Sequence, residues 1–270
     1  MSMKQGKKVM KKKKVIIAVC VVLIVLVRVF TPYLGKPFVI HINAGDIAGP
    51  NINGFCLSNR VKYIGLFHSD DSGIKFIKYC TGLEELSVSD SIVSDRPVDV
   101  NDIANPNLKS LQIMGEAVNW SGLNKCTELK ELNLSETNLN SFEEISGLKK
   151  LEYLRIYNYN IDRAVSLDNL NAPENLKELE IICPNDIDCE NISQLEKLET
   201  LYLSTEGKIS GLDKMDSVVS LSLNSSVQEI GDELCDMDNL KELHLYNSTK
   251  VSLEIQNTLK ENGVTIKRGS

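Results

Sequence analysis

Large aliphatic residues recur along residues 61–245 in the pattern L-x-x-L-x-L, with mostly polar residues between them. Seven copies have leucine at the first and fourth positions, and two looser copies begin with valine. The copies start at residues 61, 83, 108, 129, 151, 176, 198, 218 and 240. One such hexapeptide occurs in any strand or helix, but nine at intervals of 20 to 25 residues predict a repeat protein.

Each copy predicts a short strand followed by a return segment. Alternation within the hexapeptide turns its apolar positions to one side of a strand. In the unit 129–150, Leu139, Phe142, Ile145 and Leu148 then follow at helical or 3₁₀ spacing. A single unit cannot bury these side chains alone, so neighbouring units must stack. The prediction is an α/β solenoid with a curved parallel sheet on the concave face and short helical or 3₁₀ segments on the convex face.

The repeated unit resembles the leucine-rich repeat family over residues 61–250, and the unit 129–150 is similar to the short bacterial, internalin-like type. The family has asparagine at the tenth position of the unit, which here is held by Asn138, Asn160 and Asn185. Other repeats depart from the pattern, so their loops are expected to be less regular. The resemblance implies binding of a protein partner, with adhesion or host interaction as the setting and a glycan as the alternative ligand.

Both ends of the repeat array need a cover. Residues 33–60 are interpreted as a linker and N-terminal cap, with a short strand at Phe38–Ile42. Residues 251–270 are interpreted as a C-terminal cap. There Ser252 is expected to begin a helix and Gly263 to end it, and a last strand follows at Val264–Ile266.

The N-terminus has the pattern of a membrane address. Seven lysines fall within the first fourteen residues and are followed by thirteen residues without a polar side chain. This predicts a cytoplasmic tail at 1–14, a transmembrane signal anchor at 15–32 and repeats outside the cytoplasm.

Cleavage of this segment is left open. No small-residue cleavage site follows it, which favours an uncleaved anchor in the cell membrane. The apolar run spans only about 20 Å as a helix, against a hydrocarbon core of about 30 Å. A secreted protein with a cleaved signal peptide, or a buried core helix, are the alternatives.

Charge narrows the class of partner. Residues 1–30 hold eight lysines and arginines and no acid, so the other 240 residues hold 22 basic and 37 acidic residues, a net charge of −15. Such a surface disfavours nucleic acid and mildly favours a basic ligand. His41, His68 and His244 lie far apart along the array, and no catalytic, phosphate-binding or EF-hand motif is present. The sequence predicts no enzyme, no cofactor and no metal.

We expect the cysteines at 80, 126, 183 and 189 to have structural and not catalytic roles. Cys80 and Cys126 are expected to be small core residues. Cys183 and Cys189 either close a disulfide across a short loop or stay reduced. Asp186 and its acidic neighbours make that loop either a calcium ligand set or, by the simpler interpretation, a solvated acidic loop.

The concave face is the candidate binding surface. Positions three, five and seven of the unit point away from the core, and aromatic residues and arginine there are typical of binding hot spots. The candidate residues are Tyr63, Phe67, Tyr153, Arg155, Tyr157, Tyr202, His244 and Tyr246, joined by Met114 and by Glu85, Glu131, Glu178, Glu180 and Glu242. The alternative is that tyrosine favours strands for its own sake, in a scaffold without a specific ligand.

Overall fold

The computed structural model describes most of the repeat region, in the ranges 38–43, 61–67, 77, 80–89, 97–139, 142–159, 173–225, 229–246 and 249–269. All of them belong to one unit, Phe38–Ser270. The expected tail at 1–14 and anchor at 15–32 lie outside the described residues. Among the described residues, no helix is both long and apolar enough to cross a bilayer.

One parallel sheet takes one strand from each unit. Within the described ranges its eleven strands are β1 Phe38–Asn43, β2 Val61–Phe67, β3 Glu85–Ser89, β5 Ser110–Met114, β7 Glu131–Ser135, β8 Tyr153–Tyr157, β9 Glu178–Cys183, β11 Thr200–Thr205, β13 Ser220–Ser225, β15 Glu242–Tyr246 and β17 Thr265–Gly269. They pair in chain order from β1 to β17, and every pairing is parallel. This order is a solenoid of leucine-rich units, as the spacing predicts.

The register aligns equivalent leucines of successive units. Leu132 on β7 pairs with Leu111 on one side and Leu154 on the other, and all three are fully buried. Side chains alternate between the two sides of a strand, so the residues between the leucines face the opposite way. A shift by one residue would turn a whole column of leucines toward solvent, and this fixes the register.

Short segments return the chain across the other side of the core. They are the helix α1 Val100–Ile103 and the 3₁₀ segments Trp120–Lys125, Phe142–Ile145, Cys189–Ile192, Leu212–Lys214 and Asp232–Asp236. Two-residue strands β4 Val98–Asp99, β6 Ala117–Val118, β10 Ile187–Asp188, β12 Ile209–Ser210, β14 Glu229–Ile230 and β16 Lys250–Val251 pair next to them. Ile145, Ile192 and Leu234 anchor three of these segments in the core.

The asparagine ladder is only partly present. The backbone N–H of Ala117 donates to Oδ1 of Asn138 at 3.0 Å, which ties two successive units together. Oδ1 of Asn185 is buried and accepts no hydrogen bond, and Asn160 lies outside the described residues. The ladder is therefore irregular even where the asparagine is kept.

Thr249 takes the place of the ladder asparagine in the last repeat and hydrogen-bonds to backbone groups from there. It is the tenth residue of the unit that starts at Leu240, and it is buried. Its Oγ1 accepts from the backbone N–H of Ser225 at 3.0 Å and donates to the carbonyl of Tyr246 at 2.7 Å. A hydroxyl can both donate and accept, so threonine satisfies backbone groups of two strands at once.

Each described cysteine of the array is buried or half-buried. Cys80 and Cys126 are core residues, as predicted. Cys183 and Cys189 are both buried and neither forms a disulfide. Burial raises the pKa of both thiols, so they stay protonated and unreactive at neutral pH.

In the acidic loop between these cysteines, the carboxylates accept hydrogen bonds from backbone N–H groups. Oδ1 of Asp186 accepts from the N–H of Lys208 at 2.7 Å, and Oδ1 of Asp188 accepts from the N–H of Glu190 at 3.1 Å. The second contact caps a 3₁₀ segment. Both carboxylates thus have structural roles in the loop.

The C-terminal helix α2 runs over Leu253–Glu261, where the sequence predicts a helix. Oγ of Ser252 accepts from the N–H of Ile255 at 3.2 Å and caps it. Gly263 follows at φ +87°, a left-handed conformation that glycine adopts without strain. Strand β17 then adds to the sheet, three residues further than the predicted end at Ile266.

We predict that Thr249→Val lowers the free energy of unfolding by about 1–3 kcal/mol, because it leaves the buried N–H of Ser225 without an acceptor. Urea unfolding of the full chain in a neutral detergent, followed by circular dichroism, measures the change.

Thr258→Val is the matched control. Thr258 is exposed on α2, and its hydroxyl donates only to the carbonyl of Glu254 within the helix. We expect a change within about 0.5 kcal/mol. Equal effects of the two substitutions would show that the buried hydrogen bond does not matter.

Candidate binding surface on the parallel sheet

The solvent-facing side of the main sheet, called the sheet face below, corresponds to the predicted concave face. The strand register arranges its side chains in three rows, one for each outward position of the unit. The rows are Tyr63, Glu85, Ser110, Glu131, Tyr153, Glu178, Thr200, Ser220, Glu242, Thr265; then Gly65, Ser87, Gln112, Asn133, Arg155, Glu180, Tyr202, Ser222, His244, Lys267; then Ser89, Met114, Ser135, Tyr157, Ile182, Ser204, Asn224, Tyr246, Gly269. Residues 20 to 25 positions apart in the chain thereby become neighbours.

The predicted site residues fall on this face but do not form one site. The partly exposed ones are Tyr63, Met114, Tyr153, Arg155, Tyr157, Tyr202, His244 and Tyr246. Phe67 ends β2, and its side chain lies outside the described residues. Tyr63 is four strand spacings from Tyr153, roughly 19 Å. Met114 also belongs to neither cluster, and the remaining six residues form two clusters.

The central cluster consists of Tyr153, Arg155, Tyr157, Tyr159 and Glu180. Oη of Tyr153 donates to Oε2 of Glu180 at 2.9 Å, and Nε of Arg155 lies 3.3 Å from the same oxygen. The guanidinium carbon of Arg155 is 5.6 Å from the centre of the Tyr157 ring, within cation–π range. Tyr157 and Tyr159 meet edge to face, with ring centres 4.8 Å apart.

Glu180 contacts both Arg155 and Tyr153, but in different ways. The contact between Arg155 and Glu180 is an ion pair without hydrogen-bond geometry, because the buried Nε makes no hydrogen bond. The pKa of Tyr153 is raised well above its usual value, first by burial and then by the hydrogen bond to Glu180. Tyr153 therefore stays a neutral donor and holds the Glu180 carboxylate in place.

Tyr159 is the member of the central cluster that the strand pattern missed. Its side chain is 58% exposed, the most exposed ring among the described residues. It lies two residues beyond the end of β8, and its N–H donates to Oε1 of Glu136 at 2.9 Å. The run Tyr157-Asn158-Tyr159 continues the period of two past the hexapeptide, which is the signal that would have found it.

Glu136 has strained backbone. Its φ is +53°, a left-handed value that costs a residue with a Cβ about 1–2 kcal/mol. The equivalent eighth position of the preceding unit is Gly115, at φ +90°. The N–H of each donates to the next strand, from Gly115 to Ser135 and from Glu136 to Tyr157. Asn158, at the eighth position of the next unit, makes the equivalent hydrogen bond to Ile182 without a positive φ, so the left-handed conformation is particular to Gly115 and Glu136.

The C-terminal cluster consists of Tyr202, His244 and Tyr246. The rings of Tyr202 and Tyr246 lie 5.9 Å apart, edge to face, although two strand spacings separate β11 from β15. Ser222 stands between Tyr202 and His244 in the register, and its small side chain leaves room for that contact. A Cβ on Gly269 would lie 2.7 Å from the Tyr246 ring. Because glycine has no Cβ, the ring can pack against the last strand.

His244 lies beside a carboxylate that a lysine also contacts. Its Nε2 lies 3.2 Å from Oε2 of Glu242, and Nζ of Lys267 lies 2.9 Å from the same oxygen. Lys267 and then His244 lower the pKa of Glu242. Among the residues that the structure describes, no group of three or more His, Cys, Asp and Glu side chains is placed to hold a metal ion.

No family model and no curated protein matches the chain. Solved structures with a similar fold include internalin C2 of Listeria monocytogenes, with 16% identity, TM-score 0.47 and coverage of 74% of this chain and 84% of that one. A second internalin, inlF, of the same organism has 18% identity, TM-score 0.49 and coverage of 82% and 79%.

A leucine-rich repeat protein of Leptospira interrogans is also similar, with 20% identity, TM-score 0.47 and coverage of 72% of this chain. This chain spans 56% of that protein's length. The assignment of a leucine-rich solenoid rests on the strand order and the leucine register of the chain itself.

We predict that Glu136→Gly raises the free energy of unfolding by about 0.5–1 kcal/mol. Relief of the left-handed strain outweighs the loss of an exposed hydrogen bond from Tyr159. Urea unfolding of the full chain measures the change.

The reciprocal substitution serves as its control. Gly115→Ala places a Cβ at φ +90° and should lower the free energy of unfolding by about 1 kcal/mol or more. If both substitutions destabilise the chain to the same extent, Glu136 is not strained.

Proposed function

We propose that this chain is a membrane-anchored repeat protein that binds a protein partner through its sheet face, outside the cytoplasm. The observation that carries the proposal is the central cluster, in which Tyr153, Arg155, Tyr157 and Tyr159 lie side by side at the solvent face of a rigid sheet. Tyrosine and arginine are the residue types that dominate binding hot spots.

The physical argument is one of preorganisation. Tyr153, Arg155 and Tyr157 stand on one strand held by hydrogen bonds on both sides. Their side chains already contact each other or Glu180, so little conformational entropy is left to lose on binding. Their rings remain partly exposed and offer apolar area to a partner. A scaffold without a ligand has no need for this arrangement.

The setting follows from two further features of the sequence. The resemblance of the repeated unit to internalin-like surface proteins favours adhesion or host interaction. The lysine-rich tail and the apolar run at 15–32 favour a single-pass anchor with the N-terminus in the cytoplasm. A secreted form and a glycan ligand are the alternatives to this setting.

We predict that the Tyr157→Ala, Tyr159→Ala double variant weakens partner binding by about 2 kcal/mol or more, roughly 30-fold, because it removes the exposed rings of the hot spot. The full chain in a neutral detergent serves as bait, and affinity is measured for a protein that the wild type retains.

Leu253→Ala is the control for this test. Leu253 is 77% exposed on α2 and is as apolar as the rings but far along the array. We expect its affinity to equal that of the wild type. Equal binding by the double variant would leave the central cluster without a role in recognition and would favour the scaffold.

We also predict that the chain in the membrane fraction has an intact N-terminus, with a mass near 30.1 kDa. Mass spectrometry of the purified protein measures this. A mature start after about residue 30 would replace the anchor by a cleaved signal peptide.

A further inference from the structure

The carboxylates beside the central cluster are arranged differently from those of Glu84 and Glu152, which lie just before their strands. Glu131 and Glu178 flank Tyr153 in the register, one on each neighbouring strand. In the part of the chain that the structure describes, no ion pair is formed by either. Two strand spacings, about 10 Å, separate their strands.

The residues just before the strands show the alternative arrangement. At the second position of the unit, Glu84 pairs with Lys62 and Lys109, the latter at 2.7 Å. Glu152 likewise lies between Lys130 at 2.9 Å and Lys177 at 3.5 Å. The sheet thus places a lysine on each side of these carboxylates, whereas it places Tyr153 between the carboxylates of Glu131 and Glu178.

The one cation within the cluster is already neutralised. On β7, β8 and β9 the nine side chains of the sheet face comprise three carboxylates and a single basic group, Arg155. Arg155 pairs with Glu180. Among the described residues, the negative charges of Glu131 and Glu178 are therefore not neutralised by an ion pair.

The far end of the cluster is also acidic. Glu136 holds the N–H of Tyr159 from a strained backbone position. Burial, Tyr157, Glu206 and Glu136 together raise the pKa of Tyr159.

Resting on the proposed function, we propose that the partner presents a lysine- or arginine-bearing extended segment, whose cationic side chain lies over the Tyr157 and Tyr159 rings, next to Glu136. Aromatic faces attract cations, and an aliphatic stem covers apolar ring area while its charged end reaches a carboxylate. The neighbouring Glu131 and Glu178 take further basic side chains of the same segment. The occupant is a basic protein segment because its charge complements this part of the face.

The test uses the full chain in a neutral detergent and three synthetic peptides. One is a repeat of Gly-Ser-Arg, and the other two have Gln or Glu in place of Arg. We expect binding of the Arg peptide alone, measured by fluorescence anisotropy. We expect the Glu131→Gln, Glu178→Gln double variant to weaken it by about three- to tenfold, the size of two partly exposed ion pairs.

The matched control removes the same charge elsewhere. Glu174 and Glu196 are exposed and lie on turns that precede strands. Their double change to Gln should leave the affinity for the Arg peptide within about twofold, since screening over a Debye length of about 8 Å weakens distant charges. An equal loss in both double variants would reduce the effect to net charge and overturn the inference.

Two other outcomes overturn it as well. Equal binding of the Gln peptide removes the requirement for a cation, and equal affinity for free argininamide removes the requirement for a protein segment. The proposed function fails separately. If the Tyr157→Ala, Tyr159→Ala variant loses the retained partner while the Glu131→Gln, Glu178→Gln variant keeps it, the binding surface stands and only its cation specificity is wrong.

Discussion

The hydrogen-bonded register between successive strands is the constraint on which this molecule depends. A unit of about 22 residues has too little apolar surface to form a core by itself, so its leucines are buried only against those of its neighbours. The pairing of Leu111, Leu132 and Leu154 across three strands shows how this is met. Because side chains alternate, the same pairing decides which polar and aromatic residues face solvent and which of them become neighbours.

Sequence reasoning reached this register because the leucines repeat it. The hexapeptide predicts the strand and the outward positions together, which is why Tyr153, Arg155 and Tyr157 were placed on one face. It also placed Tyr63 on that face, yet distance along the array separates Tyr63 from the others. The pattern predicts the repeat to which a residue belongs and the side of the sheet on which it lies. It does not predict which long side chains contact each other.

What the pattern missed lies at the turns after the strands. There the hexapeptide no longer constrains the chain, and backbone handedness and local hydrogen bonds decide. Tyr159 joins the cluster because Glu136 fixes its N–H. The sequence pattern did not identify Thr249, because the family pattern specifies asparagine at this position. It does not specify the hydrogen bonds to backbone groups, which threonine also makes. The reduced state of Cys183 and Cys189 depends on side-chain packing, which spacing alone leaves open.

The central cluster is shared between two repeats. Arg155 belongs to the unit that starts at Leu151, and its partner Glu180 belongs to the next. Elsewhere, a solenoid tolerates the gain or loss of a whole unit, because each one meets its neighbours through equivalent contacts. A unit inserted between β8 and β9 would preserve the fold but separate the guanidinium from its carboxylate. We therefore expect this junction to tolerate the gain or loss of a unit less well than others, and we expect the two residues to covary.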